Sequence, residues 1–390
     1  MNSRRAFVLR ASAAFIAMLS RGIVAGRKAR FAFLTLSALT APALALSPDV
    51  APAQQQATAQ SRMHKPNIVI LATGGTIAGT AASATQAAYT PGVLTIDAMI
   101  AAVPGIDKLA NVRGEQVSNV GSQDMSFEIL LKLAKRINEL TAKPDVDGIV
   151  ITHGTDTMEE SAYFLNLTVK TNKPVVMVGS MRPSTAVSAD GPLNLYNAVG
   201  VAADPKAKGR GVLVVMNDQI HAARSLTKTN TTSVDSFMSP MHGVAGVANY
   251  GKNVFYGMPV GKHTTQSEFD ISNVKQLPRV DIIYADADMK ADVIESSVAK
   301  GAKGIVIAGL GDGNMNKTSL DAAGRAVKQN VAVVRSSRVP TGIVGRNVED
   351  DELGLVASNE LNPPKARILL TLALLKPRSS AELQKLFYTY

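Results

Sequence analysis

The stretch NIVILATGGTIAGT, residues 67–80, decides how the rest of the chain is read. From Ile68 to Ala72 it is apolar and rich in β-branched residues, with no polar alternation, the pattern of a strand buried on both faces of a parallel sheet. It then ends abruptly in Thr73-Gly74-Gly75-Thr76, with Gly79-Thr80 just beyond. Glycines at the carboxyl end of a parallel strand let a small ligand lie close to the backbone. What is held there, and whether either threonine acts on it, depends on the residues that the rest of the fold brings to the same edge.

The same kind of strand recurs in GIVIT (148–152), PVVMVG (174–179) and GVLVVMN (211–217). Between them, SFEILLKLAKRINEL sets Ile129, Leu130, Leu133, Ile137 and Leu140 on one stripe, which predicts a helix covering a sheet. A second helix is expected after HGTDT, where Thr157 and Glu160 have capping-box spacing. Strand and helix alternate through this region, which predicts a parallel α/β domain over residues 66–256. Residues 257–276 lack a period and read as a linker. Alternation then resumes in VDIIYAD, GIVIAGL and VAVVRSS, with helices between them and PKARILLTLALL after, so residues 277–390 are expected to form a smaller α/β domain.

Polar clusters fall where the strands of the first domain end. TGGT follows the first strand, HGTDT (153–157) the second, SMRPS (180–184) the third, and Asn217-Asp218 the fourth. Four such endings in one sheet predict a polar crevice. Several familiar sites are excluded from it. A phosphate loop needs a lysine after its glycines and GGTIAGT has none, nor does it have dinucleotide spacing. DGNMNK at Asp312 to Lys317 fails as a calcium loop, because glycine and glutamate are missing at the two positions that require them. The five histidines have no ligand spacing, so no metal and no cofactor are expected.

Composition narrows the partners. The formal charge is +10, but seven basic and no acidic residues lie in the first 45 positions, leaving 34 basic against 31 acidic, about +3. No nucleic-acid partner is expected. Those first residues read as an export signal, with a basic start, the apolar run FAFLTLSALTAPALA and a small-x-small cleavage site at Ala43-Leu44-Ala45. SRRAFVLR resembles a twin-arginine signal, whereas a true start at Met18 would favour the Sec route; either way the expected location is the periplasm, with no stable membrane association once the leader is removed. Residues 46–65, rich in Pro, Ala and Gln, are expected to be a disordered tether. With no cysteine, stability must come from the core and from any oligomeric interface.

What remains at the crevice is hydroxyl, carboxylate and ammonium. A threonine hydroxyl needs a neighbouring base before it attacks anything, and Asp156 beside Thr155, with a lysine from elsewhere, would provide one. On the residues alone this is a small-molecule site suited to acyl transfer. The plain alternative, Thr76 as a turn hydroxyl bonding its own backbone, stays open.

Taken together, ILATGGTIAG, ANVRGEQVSNVGSQDMS, VITHGTDTMEESAYFL, VVMVGSMRPSTAVSADGPLNLYNAV and GVLVVMND resemble the bacterial type II L-asparaginases, the periplasmic class. The resemblance runs from about residue 66 to residue 390 and includes LTKTNTT, VVRSSRVPTG and LNPPKARILL. It implies an asparaginase/glutaminase-like fold: a larger, flavodoxin-like N-terminal domain and a smaller C-terminal α/β domain. It implies hydrolysis of L-asparagine to L-aspartate and ammonia, with Thr76 as nucleophile and Tyr89 over it on a mobile lid. Thr155, Asp156 and Lys228 would form a second catalytic cluster. Ser122, Gln123 and Asp156 would hold the substrate's α-carboxylate and α-amino groups. A neighbouring subunit would lend Asn314 and a glutamate, Glu349 with Glu352 as the alternative, within a homotetramer built as a dimer of dimers.

Attack by Thr76 to give a covalent intermediate and direct attack by water both stay open. Two other functions compete with a strict asparaginase. One is a broad-specificity glutaminase-asparaginase; the other is a periplasmic amino-acid binding protein without turnover, which needs no activated hydroxyl. Ser122 and Gln123 also precede a helix and have a plain reading as its caps.

Overall fold

In the computed structural model the described residues are 65–85 and 88–390. The leader expected over 1–45 and the tether over 46–65, except for its last residue, lie outside them. The first strands are β1 (Asn67–Gly74), β2 (Asn111–Val120), β3 (Gly148–Thr152), β4 (Val175–Val178), β5 (Val212–Met216) and β6 (Gln219–Ala222). A two-stranded ribbon of β7 (Thr227–Lys228) and β8 (Phe237–Met238) follows. Then β9 (Gly246–Asn249) and β10 (Lys252–Phe255) complete an eight-stranded sheet of order β10-β9-β6-β5-β4-β3-β1-β2.

The five strands β2-β1-β3-β4-β5 are parallel and in the flavodoxin-like order. The remaining three are antiparallel, an extension the apolar runs did not predict. Its cause corrects one expectation about the crevice. Asn217 and Asp218 both have positive φ, 48° and 62°, and Met216 pairs with Gln219, so they form a two-residue hairpin that turns β5 back on itself. Their side chains are spent on neighbouring elements: Asp218 accepts from Asn197 Nδ2 of the helix Gly191–Ala203 at 2.9 Å, and Asn217 Nδ2 reaches Asp235, in the loop between β7 and β8, at 3.4 Å.

The second sheet is parallel, with β11 (Val280–Tyr284), β12 (Gly304–Gly309), β13 (Ala332–Ser337) and β14 (Val356–Ala357) in sequential order. The helices are α1 (Ile96–Ala101) and α2 (Ile106–Leu109) between β1 and β2, then α3 (Phe127–Thr141), α4 (Met158–Thr168) and α5 (Gly191–Ala203) around the large sheet. The C-terminal half has α6 (Asp292–Ala299), α7 (Lys317–Lys328), α8 (Val348–Leu353), α9 (Pro363–Ala373) and α10 (Ser380–Thr389).

One face of the large sheet packs on α3 and α4, the other on α1, α2 and α5. The stripe on α3 is buried at Leu130, Leu133, Ile137 and Leu140, while Ile129 is only partly covered. Helix α4 is buried on nearly every side because it lies between the large sheet and α9, so the core runs unbroken from one sheet to the other. The expected capping box at its start is absent. Thr157 occupies the N-cap position but donates its hydroxyl to Ser122 O at 2.8 Å, and Glu160 pairs with Arg367 of α9 at 3.2 Å. The stretch after β10 contains a single 3-10 turn, Thr264–Gln266, yet it is anchored by buried Phe269, Ile271 and Leu277.

Candidate active site

Sheet order places β3, β1 and β2 side by side, so the loops HGTDT, TGGT and GSQD leave the same edge as neighbours. Two glycines then bring them into contact. Gly75 has φ +83°, and a Cβ built on it would lie 2.3 Å from Gly154 N and 2.4 Å from Gly154 Cα. A Cβ on Gly154 would lie 2.7 Å from Ser122 Oγ. Only glycine at both positions allows this approach. The residues that follow the two glycines are Thr76 and Thr155.

Thr76 is buried, and its Oγ1 lies 2.6 Å from Tyr89 Oη, with either hydroxyl able to donate. Tyr89 is 40% exposed and sits in the loop after β1, whose base is stapled by paired bonds between Thr80 and Thr90 and by Gly92 N to Gly75 O at 3.2 Å. This corrects the plain reading of Thr76, since its hydroxyl partner is another side chain. Thr73 does have the plain role: buried, it donates to Thr152 O at 2.8 Å and ties β1 to β3.

Thr155 is also buried, and Lys228 Nζ, from β7, donates to its Oγ1 at 2.9 Å and to Asp156 Oδ1 at 2.7 Å. An ammonium has no lone pair to accept with, so the Thr155 hydroxyl keeps its own proton to donate elsewhere. The Asp156 carboxylate is mostly exposed and has further acceptor positions open to solvent. Its amide donates to Ser122 Oγ at 3.1 Å, locking the β2 and β3 loops together. Ser122 and Gln123 are not the caps of α3: Ser126 accepts from Ile129 N in that role. Gln123 is exposed and its amide donates to Asp124 at 3.3 Å.

The SMRPS loop supports the site from behind. Ser184 N and Oγ both donate to Gly79 O, at 3.0 and 2.7 Å, and the Asp190 carboxylate accepts from Met181 N and Arg182 N. His153 is fully buried, bonded through Nδ1 to Gly154 O at 2.6 Å, and burial pushes its pKa down to about 4. It is therefore neutral and packs behind the loop.

Asn314 and Glu349 are not joined to this cluster by any hydrogen bond or ion pair among the described residues; both are exposed, Asn314 in the turn after β12 and Glu349 in the first turn of α8. The structure does tie them to each other's neighbourhood through a residue sequence reading missed. Arg335, buried on β13, makes a two-pronged ion pair with Asp350 of α8 and donates to Asp312 O and Gly345 O, each at 2.9 Å. Asn314 closes a tight turn onto Leu310, and Glu349 stands beside Asp350.

Two family models cover this architecture, "Asparaginase, N-terminal" over residues 67–261 and "Glutaminase/Asparaginase C-terminal domain" over residues 279–387. The chain belongs to the asparaginase family. Among similar proteins, a probable periplasmic L-asparaginase of Haemophilus influenzae is 52% identical, with 83% of this chain and 92% of that one covered. A glutaminase-asparaginase of Pseudomonas fluorescens is 47% identical, with 87% and 94% covered. The crystal structure of a probable cytoplasmic L-asparaginase from Campylobacter jejuni superposes with a TM-score of 0.82 at 47% identity, covering 84% of this chain and all of that one. For this asparaginase-family chain, the glycine contact and the two hydroxyl pairs are the features that single out one edge of one sheet as the site.

Proposed function

We propose that the chain is an amidohydrolase that converts L-asparagine to L-aspartate and ammonia, with Thr76 as its nucleophile. The observation that carries this reading is the pair of buried threonine hydroxyls on touching loops, one bonded to a phenol and the other to an ammonium. Binding alone requires neither. In the first half of the reaction Thr76 Oγ1 adds to the side-chain amide carbon while its proton passes to Tyr89 Oη, which hands its own to the amide nitrogen. The C–N bond then breaks and the nitrogen leaves as ammonia carrying a proton, which leaves an ester on Thr76. In the second half water adds to the ester carbon and its proton is relayed through the Thr155 hydroxyl, which the Lys228 ammonium holds in place. The ester C–O bond breaks, and the proton returns to Thr76 as aspartate departs. The Lys228 ammonium offsets the charge that develops on the reacting oxygen.

The α-carboxylate is received at Ser122 and Gln123, and the α-ammonium at Asp156, with Asn314 and Glu349 of a neighbouring copy completing that corner. That sharing requires at least a dimer, and the assembly proposed is a homotetramer built as a dimer of dimers. We place residues 66–256 as the catalytic domain and 277–390 as the domain that lends those two residues, and we place the protein in the periplasm after removal of its leader.

Purified chain lacking residues 1–45 is expected to release ammonia continuously from L-asparagine. Stoichiometric binding without turnover would replace this reading with that of a binding protein. The second reading, a glutaminase-asparaginase, is favoured by the 47% identity to a relative so named. Turnover on L-glutamine and L-asparagine measured side by side decides between a strict and a broad enzyme.

A further inference from the structure

The first turn of α9, in the C-terminal half of the chain, holds both arms of the Thr155–Lys228 pair. Lys365 is buried there, its side chain 4% exposed, and its Nζ donates to Leu226 O, two residues before Lys228. The same ammonium lies 3.7 Å from Glu159 of α4, four residues after Thr155. At the N-cap of the same helix, Asn362 donates to Thr227 Oγ1 at 3.3 Å and to Glu159 at 3.5 Å, while its own oxygen caps α9. Burial pushes the Lys365 pKa down and the facing Glu159 carboxylate opposes that. The ribbon it touches has only two residues in each strand and cannot fix Lys228 by itself.

We infer that Asn362 and Lys365 are positioning residues: they clamp Leu226-Thr227 against the start of α4 and so set the 2.9 Å contact between Lys228 and Thr155. This rests on the reading that Lys228 serves catalysis. Neither residue touches the crevice, so substrate binding should be spared while the chemical step suffers.

The test uses the full chain without its leader and reads kcat, KM and melting temperature together. Lys365→Met alone leaves Glu159 buried without its cation and is expected to unfold more readily. The charge-balanced variant Glu159→Gln/Lys365→Met removes that liability, and Asn362→Ser keeps the helix cap while losing the reach to Thr227. Both are expected to melt near the wild type, to keep KM within about two-fold, and to lose kcat, by roughly ten-fold or more for the first and two- to five-fold for the second. If Lys365 only neutralised Glu159, the charge-balanced variant would recover wild-type kcat. Wild-type kcat in both variants overturns the inference; if the double variant does not fold, wild-type kcat in Asn362→Ser alone does so. Lys228→Met run alongside separates the two ideas. Full activity in Lys228→Met would sink the catalytic reading itself, whereas its loss with intact α9 variants would sink only the positioning role.

Discussion

At the residue scale, the site is two hydroxyls with different partners. Tyr89 touches Thr76 but is substantially exposed, so removing its hydroxyl should cost chemistry and not stability. Tyr89→Phe is expected to lower kcat by roughly 10²-fold or more with an unchanged melting temperature, the range of a lost proton-transfer partner. A kcat within three-fold of wild type would show that the ring, not the hydroxyl, matters. Two buried histidines make a separate prediction about pH. Desolvation holds His153 and His221 near pKa 4, opposed at His153 by the Gly154 carbonyl and at His221 by Asp235, against about 6.5 in an unfolded chain. Between those values the unfolded chain binds more protons, so the stability from keeping them neutral is complete above about pH 6.5 and is lost as pH falls toward 4. The urea midpoint should decline across that window; a flat midpoint would contradict it. The meeting of Thr76 with Tyr89 and of Lys228 with Thr155 and Asp156 was legible because their motifs are distinctive. The Arg335–Asp350 pair was not, since nothing near VVRSS or VEDDEL marks a buried ion pair until the second sheet brings them together.

At the element scale, the strands that could be read were those buried on both faces. β1, β3, β4 and β5 announce themselves as apolar runs, whereas β2, NVRGEQVSNV, is a polar edge strand whose only buried residue is Val117, so no apolar pattern marks it. Its register against β1 is nevertheless what delivers Ser122 to the site. Helix α4 was visible, but its start was misread, because a threonine at capping spacing is indistinguishable in sequence from one that bonds a loop carbonyl. The contact between the β1 and β3 loops is the element-level requirement of the site. Gly154→Ala would force its new methyl to 2.7 Å from Ser122 Oγ and push that loop from the Gly75 turn. Activity is expected to fall by about two orders of magnitude, in line with an ångström-scale misplacement of reacting groups, while circular dichroism stays native. Wild-type turnover in Gly154→Ala would mean that the close approach has no part in assembling the site.

At the scale of the whole molecule, the two sheets share one core through α4 and α9, so the C-terminal half supports the site that the N-terminal half carries. The two α/β halves were legible from the alternation of strands and helices, but the contact of one with the other was not, because Glu159 lies 203 residues before Asn362 in the sequence. Asn314 and Glu349 face outward from the second sheet, which suits residues that work on another copy. Sedimentation is expected to give an active tetramer, and a fully active monomer would refute the sharing. All of this hangs on one hydroxyl, at the turn that ends the first strand. The most direct measurement is ammonia release from L-asparagine by Thr76→Ala beside the wild type, with folding checked by circular dichroism and substrate binding by calorimetry. The account predicts a folded variant that still binds L-asparagine but has lost at least about 10³-fold in kcat, the scale of a missing nucleophile. A folded Thr76→Ala that releases ammonia at near wild-type rate would contradict it.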